Sequence, residues 1–236
     1  NSITESGAAF AALKDSGEVV TWGIADYGGD CSAVAGDDRL AAGVSSITGN
    51  GNAFAALKDT GEVVAWGDAV YGGDCSSVAA HLACGVSAIT GSGGAFAALK
   101  YAGEVVTWGH VRGGGDCSAV ADRLAAGVSS ITGSAGAFAA LMDTGEVVTS
   151  GDANSGGDCN AVADRLAAGI RSITGTEGAF AALKDTGEVV TWGQADFGGG
   201  SHLGAMLMVA VIAVVLQISW LRASASSPEV PVPSRP

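Results

Sequence analysis

The sequence predicts an all-β fold, a propeller-like array of about five small blades, followed by a C-terminal hydrophobic helix. Three observations lead there. A unit built on "AFAAL" recurs with its phenylalanine at 10, 54, 96, 138 and 180, a first step of 44 residues and then steps of 42. Each unit holds three short β-prone runs bounded by glycine-rich turns. After residue 202 the composition shifts to an uncharged apolar run.

The elements follow in order. "SSITG", "AFAAL" and "EVVTW" are the three strand candidates of a unit, short and apolar or β-branched. Lys-Asp-Thr-Gly-Glu joins the second to the third at 58–62 and 184–188, with Ser16 in place of Thr in the first copy. That is hairpin chemistry, because Asp opens a turn and Gly takes the left-handed position of a bulged type I turn. Lys14 and Glu18, and their counterparts, are expected to face each other across it. After Trp-Gly comes a glycine-rich loop and then "SAVADRLAAGV", whose spacing fits a turn of helix or a fourth edge strand.

Units of about 2–44, 45–87, 88–129, 130–171 and 172–201 result, and none can bury both faces of its sheet alone. Alanine-rich "AFAAL" is expected nearest the axis, where strands converge. Trp22, Trp66, Trp108 and Trp192 are expected to wedge between blades. Ser150 breaks that series, so its interface is expected to be the loosest.

Charge excludes one class of partner. Eleven Lys and Arg stand against 24 Asp and Glu, a net −13, with −14 of it before residue 202 and +1 after. Phosphate backbones need clustered cations, so no nucleic-acid partner is expected. Cys31, Cys75, Cys117 and Cys159 each close a Gly-Gly-Asp-Cys run one repeat apart, too far for disulfides and without a zinc pattern. Asp30, Asp74, Asp116 and Asp158 read as turn formers rather than calcium ligands. His81, His110 and His202 share no repeat position. No nucleophile elbow or phosphate loop occurs, and no catalytic residue, cofactor or metal site is expected.

The run Ala-Leu-Lys-Asp-x-Gly-Glu-Val-Val-x-Trp-Gly-x-x-x-x-Gly at 12–28, 56–72 and 182–198 resembles the repeat of the regulator of chromosome condensation family, whose core is Gly-x-Val-x-x-Trp-Gly. The resemblance covers residues 2–200 and implies RCC-type β-propeller blades, seven to a ring in the family. The alanine-rich Gly-Gly-Asp form resembles long arrays of unicellular algae. Ala25, Ala69 and Ala153 stand where the family has Asn after Trp-Gly, and Gly-Gly-Asp-Cys replaces Gly-Gln-Leu-Gly. No residue matches a ligase or nucleotide-exchange site, and fold alone does not imply function.

Four units are complete and the fifth stops after Trp192-Gly193. A five-bladed ring with an imperfect last blade, an open arc and a fragment of a longer protein are all compatible with that count. The start at Asn1, on a strand, points toward the fragment. An open arc would leave strand edges free to self-associate.

Residues 203–221, "LGAMLMVAVIAVVLQISWL", form an uncharged run of 19 ending near Trp220 and Arg222, the length and flank of a transmembrane helix. Residues 222–236 read as a disordered Pro/Ser tail. The charge bias places the repeats outside or lumenal and the tail cytoplasmic; the alternative is a soluble intracellular protein. The functional expectation is a membrane-tethered, non-enzymatic scaffold for a protein partner. Its contacts are expected at Tyr27, Tyr71, Arg112 and Phe197, in loops that differ between copies. The alternatives are a metal-assisted hydrolase on an acidic face and a fragment without independent function.

Overall fold

Five three-stranded antiparallel sheets make up the computed structural model of the chain, which describes residues 1–35 and 39–200. Blade 1 comprises β1 (Ser2–Glu5), β2 (Ala9–Leu13) and β3 (Val19–Gly23). Blade 2 comprises β4 (Val44–Gly49), β5 (Ala53–Lys58) and β6 (Val63–Gly67). Blade 3 comprises β7 (Val86–Gly91), β8 (Ala95–Lys100) and β9 (Val105–Gly109). Blade 4 comprises β10 (Val128–Gly133), β11 (Ala137–Met142) and β12 (Val147–Gly151). Blade 5 comprises β13 (Ile170–Gly175), β14 (Ala179–Lys184) and β15 (Val189–Gly193). All lie within the compact unit Asn1–Gly200; the expected helix at 203–221 and tail at 222–236 lie outside the described residues.

The hairpins form as their residues dictate. Lys14 N donates to Glu18 O, Gly17 N donates to Lys14 O, and Gly17 takes φ 77°. Beyond the turn, strand pairing places Phe10 opposite Trp22, Phe54 opposite Trp66, Phe96 opposite Trp108 and Phe180 opposite Trp192. Each pair stacks with ring centroids 5.3–5.5 Å apart.

"AFAAL" is the middle strand of every blade, which corrects its expected place at the axis. The first strands hold the inner position, since β1, β4, β7, β10 and β13 touch one another in succession. Alanine is required in the middle strands of blades 2 to 4 for a different reason: both of their faces are covered by neighbouring blades. Ala55 and Ala56 are fully buried, as are Ala97 and Ala98.

The segment with two readings resolves as helical. It forms single helical turns at Ser32–Ala35, Ala79–Leu82, Ala121–Leu124 and Ala163–Leu166, with no fourth strand among the described residues. Its purpose is to deliver one leucine to each junction. Leu40, Leu82, Leu124 and Leu166 are buried between the trailing face of one blade and the leading face of the next. At the first junction Ala9, Ala11 and Val19 of blade 1 meet Phe54, Ala56, Val64 and Trp66 of blade 2. Full burial contributes about 1.5–3 kcal/mol for each large apolar side chain.

Trp66, Trp108 and Trp192 each lie at such a junction, and their Nε1 donates to the carbonyls of Gly28, Gly72 and Gly156 at 3.0 Å. Trp22 does not lie between blades, because no blade precedes it among the described residues; it is 44% exposed. At the junction of blades 3 and 4 Ser150 sits in the tryptophan position, and Phe138 faces Gly114 there without an indole beside it. The row is open within Asn1–Gly200: a Cβ on Gly198 would meet nothing within 4 Å, whereas one on Gly28, Gly72, Gly114 or Gly156 would press on the next blade's phenylalanine.

The turn ion pairs need a second correction. Lys14 pairs with Glu18 at 2.7 Å and Lys100 with Glu104 at 3.2 Å, as expected. Glu62 and Glu188 instead pair with Arg39 and Arg165, and Glu146 with Arg123, at 2.6–2.7 Å. Arg123 and Arg165 reach across from their helical turns and Arg39 from beyond the first one. A guanidinium suits a carboxylate better than the flexible lysine of blades 2 and 5 does, and blade 4 has Met142 in the lysine position.

Candidate interaction surface

One end of every blade carries the loop that follows Trp-Gly. The five loops share a backbone: a single 3₁₀ turn at Ala25–Tyr27, Ala69–Tyr71, Val111–Gly113, Ala153–Ser155 and Ala195–Phe197. Each closes on a glycine at φ between 89° and 98°, a conformation that disfavours any side chain. At Gly28 the need is doubled, because a Cβ would reach within 2.6 Å of the Phe54 ring.

A clamp from the connection between the first two strands fixes the fourth residue of every loop. Ser6 Oγ donates to Tyr27 O at 2.8 Å, Asn50 Nδ2 to Tyr71 O at 2.7 Å, and Ser92 Oγ to Gly113 O at 2.6 Å. Ser134 Oγ and Thr176 Oγ1 do the same to Ser155 O and Phe197 O. On the other side Thr21, Thr107 and Thr149 donate to the carbonyls of Gly29, Gly115 and Gly157 at 2.9–3.1 Å. Both clamps grip backbone carbonyls, so the loop side chains are free to differ while the loop shape stays constant.

Those side chains divide into packed and presented groups. Tyr27 is half-buried and packs on the first junction. Tyr71 is half-buried and stacks on His110 of the next blade, centroids 5.5 Å apart. Phe197 and Arg112 are exposed. Tyr27, Tyr71 and Phe197 occupy the fourth loop position and Arg112 the third. Three exposed apolar residues in these loops escaped the sequence reading: Ile24, Val70 and Val111. The available signal was an apolar side chain inside a turn-forming loop, where folding gives it no place to go. The loops also carry Asp26, Asp68, Asp152 and Asp196, and Arg112 is the one Lys or Arg within them.

The remaining sequence-marked groups have structural partners. Oδ1 of Asp30, Asp74, Asp116 and Asp158 accepts the amide two residues on at 2.8–2.9 Å. That amide holds Asp30, Asp74 and Asp116 below the ordinary carboxylate range, because it stabilises the charged form. His81 lies 3.2 Å from Glu104, His110 Nδ1 accepts from Arg112 N, and His202 lies outside the described residues.

All five cysteines are free thiols, Cys84 exposed and the others half-buried. A groove of about 510 Å³ beside blade 2 is lined by Arg39, Glu62, Asp74 and Cys75 among others. Burial raises the Cys75 thiol above its ordinary value, which disfavours a nucleophilic thiolate there. Among the described residues no three His, Cys, Asp or Glu side chains group to hold a metal ion, and no helix is long and apolar enough to cross a membrane.

Known proteins match this geometry in structure. Prp20p from Saccharomyces cerevisiae, described with its binding to Gsp1p and histones, superimposes with a TM-score of 0.54 at 19% identity, over 83% of this chain and 57% of that one. Yeast RCC1 (Prp20) in the structure with Kap60 bound gives 0.53 at 14% identity, over 83% and 56%. The fold is that of an RCC1-type propeller. Human WBSCR16 gives 0.50 at 19% identity, over 80% of this chain and 60% of that one. The chain thus spans between 56% and 60% of the length of the chains in these three structures. No protein-family model and no curated protein sequence matches it.

Proposed function

We propose that this chain is a non-enzymatic protein-interaction scaffold whose contact surface is the row of loops after Trp-Gly. One observation carries the reading: five loops of the same backbone, clamped through carbonyls, present different exposed side chains, as a surface selected for contact rather than folding would. Ile24, Val70, Val111 and Phe197 supply apolar anchors and Arg112 a planar cation, the residue types that dominate protein contacts. Set among Asp26, Asp68, Asp152 and Asp196 on a chain of net −13, they suit a partner with a basic rim around an apolar patch. Protein partners of Prp20p on the same fold support a protein rather than a small-molecule target.

A triple variant Val70→Ser, Val111→Ser and Phe197→Ser tests it in quantitative affinity capture. Partners held by the native chain should be lost, while Lys14→Ser at the opposite end changes nothing. Retention of the same partners by the triple variant would sink the reading.

The proposal extends to a bilayer anchor at 203–221, with the repeats outside or lumenal and the tail cytoplasmic. Its support is the uncharged run of 19 residues followed by Arg222. The chain should stay with membranes through an alkaline carbonate wash; release into the supernatant excludes the anchor.

A further inference from the structure

The blade 3 loop is capped by a group that no other loop uses. The residue before each 3₁₀ turn is Ile24, Asp68, His110, Asp152 or Gln194. In blades 2 and 4 the Asp Oδ1 accepts the amide two residues on, from Val70 and Asn154, at 2.8 Å. In blade 3 His110 Nδ1 accepts it from Arg112 at 3.2 Å. A backbone amide can only donate, so the bond requires a bare ring nitrogen, which the neutral imidazole with its proton on Nε2 supplies. Histidine is the side chain whose ordinary titration falls between about pH 5 and 8, where carboxylates stay ionised. The blade 3 cap is therefore present above that range and lost as pH falls through it, while the caps of blades 2 and 4 persist.

The surroundings of the ring decide what moves. His110 is half-buried and lies on Tyr71 of blade 2, with centroids 5.5 Å apart and planes 17° from parallel. Its own amide donates to Gly94 O in the connection between β7 and β8, where Ser92, Gly93 and Gly94 carry no charge. Arg112 supplies the charge on its own loop, and among the described residues no carboxylate lies within 4.0 Å of the ring. A protonated imidazole is drawn to the face of Tyr71, so the ring stays with blade 2. Two donors then oppose each other across the lost cap, and Arg112 carries the same sign of charge as the ring. Arg112 is what gives way. Blades 1 and 5 keep the same turn with no side-chain cap from Ile24 or Gln194, so the turn survives and its presentation changes.

We infer that His110 makes the blade 3 part of the loop surface acid-sensitive. Neutral, it fixes Arg112 and its neighbour Val111 in place for contact; protonated, it releases them and keeps its hold on Tyr71. The inference rests on the proposal that these loops bind a protein, since Val111, 66% exposed, and Arg112 are two of the anchors named for it. Binding accordingly weakens on acidification, by the factor of about five that loss of a capping acceptor carries.

Nuclear magnetic resonance of the isotope-labelled full chain, titrated from about pH 8 to about pH 5, tests the device without a partner. The Arg112 amide should shift in step with the His110 ring signals, while the Val70 and Asn154 amides, capped by carboxylates, stay in place. His110→Asn keeps a capping acceptor that does not titrate, and in it the Arg112 amide should no longer follow pH over that range. Quantitative affinity capture reads the consequence. Partners bound by the native chain at about pH 7.5 should be retained about fivefold less at about pH 5.5, and His110→Asn should escape that loss whatever it holds at neutral pH. An imidazole still neutral at about pH 5 overturns the inference. So does an Arg112 amide indifferent to the ring's titration, or equal acid losses in the native and variant chains. Partners that survive the triple loop variant sink the loop reading instead and leave the resonance result standing, so the two proposals fail separately.

Discussion

Blades 1 and 2 are near copies that differ in fate. Both pair their phenylalanine with their tryptophan in the same register and stack the rings, at 5.5 Å and 22° in blade 1 and at 5.4 Å and 25° in blade 2. Yet Trp22 is 44% exposed and Trp66 only 3%. The local pair is built by the hairpin alone, while its burial and the hydrogen bond from indole to the Gly28 carbonyl come from the blade in front. Stability in this architecture therefore resides in junctions between units, as expected of quasi-one-dimensional repeats.

Substituting the two tryptophans breaks the comparison most directly. Trp66→Ala should cost about 3–5 kcal/mol in denaturant unfolding, the range for a large buried aromatic. Trp22→Ala should cost about 1 kcal/mol, chiefly its stacking on Phe10; equal losses would show that Trp22 is covered after all. Next comes the middle strand. Ala97→Leu, at a fully buried position, should cost about 1–3 kcal/mol through overpacking. The same change at half-buried Ala181 should cost well under that by the same assay.

Ser150→Trp sharpens the contrast from the other side. It restores an indole where the Gly114 carbonyl lacks one and should stabilise by about 1–3 kcal/mol; no gain would mean that Phe138 already fills the slot. The smallest effect is common to both blades. The folded-state carboxyls of Asp30, Asp74 and Asp116 lie below their ordinary 3.8, so their contribution is present above that pH and lost as pH falls through it and lower. Replacing all three with Asn should flatten the fall of unfolding temperature on acidification, read by circular dichroism between neutral and acid pH.

Much of the fold was legible because each signal is local. Val63 to Trp66 are β-branched or aromatic apart from Ala65, and Gly61 opens the left-handed position of the turn, so the hairpin follows from neighbours in sequence. The loop surface was half legible. Variation between copies pointed to Tyr27, Tyr71, Arg112 and Phe197, but Tyr71 is held against His110 of the next blade, a contact between residues 39 apart in the chain. Ile24, Val70 and Val111 were missed because an apolar side chain in sequence is read as core until something fails to cover it. The axis assignment failed for a related reason. Alanine reports a lack of space and not its direction, and here the crowding comes from blades on either side rather than from converging strands.

By itself the sequence determined the repeating unit: three strands, a bulged turn, a glycine-closed loop and an acidic surface, all set by residues within a few positions of one another. Only the tertiary structure decided which strand lies inside, which arginine captures Glu62, and which tryptophan is dry. Those outcomes depend on what a neighbouring blade brings to each face, and identical blades receive different neighbours at the middle and at the ends of the row.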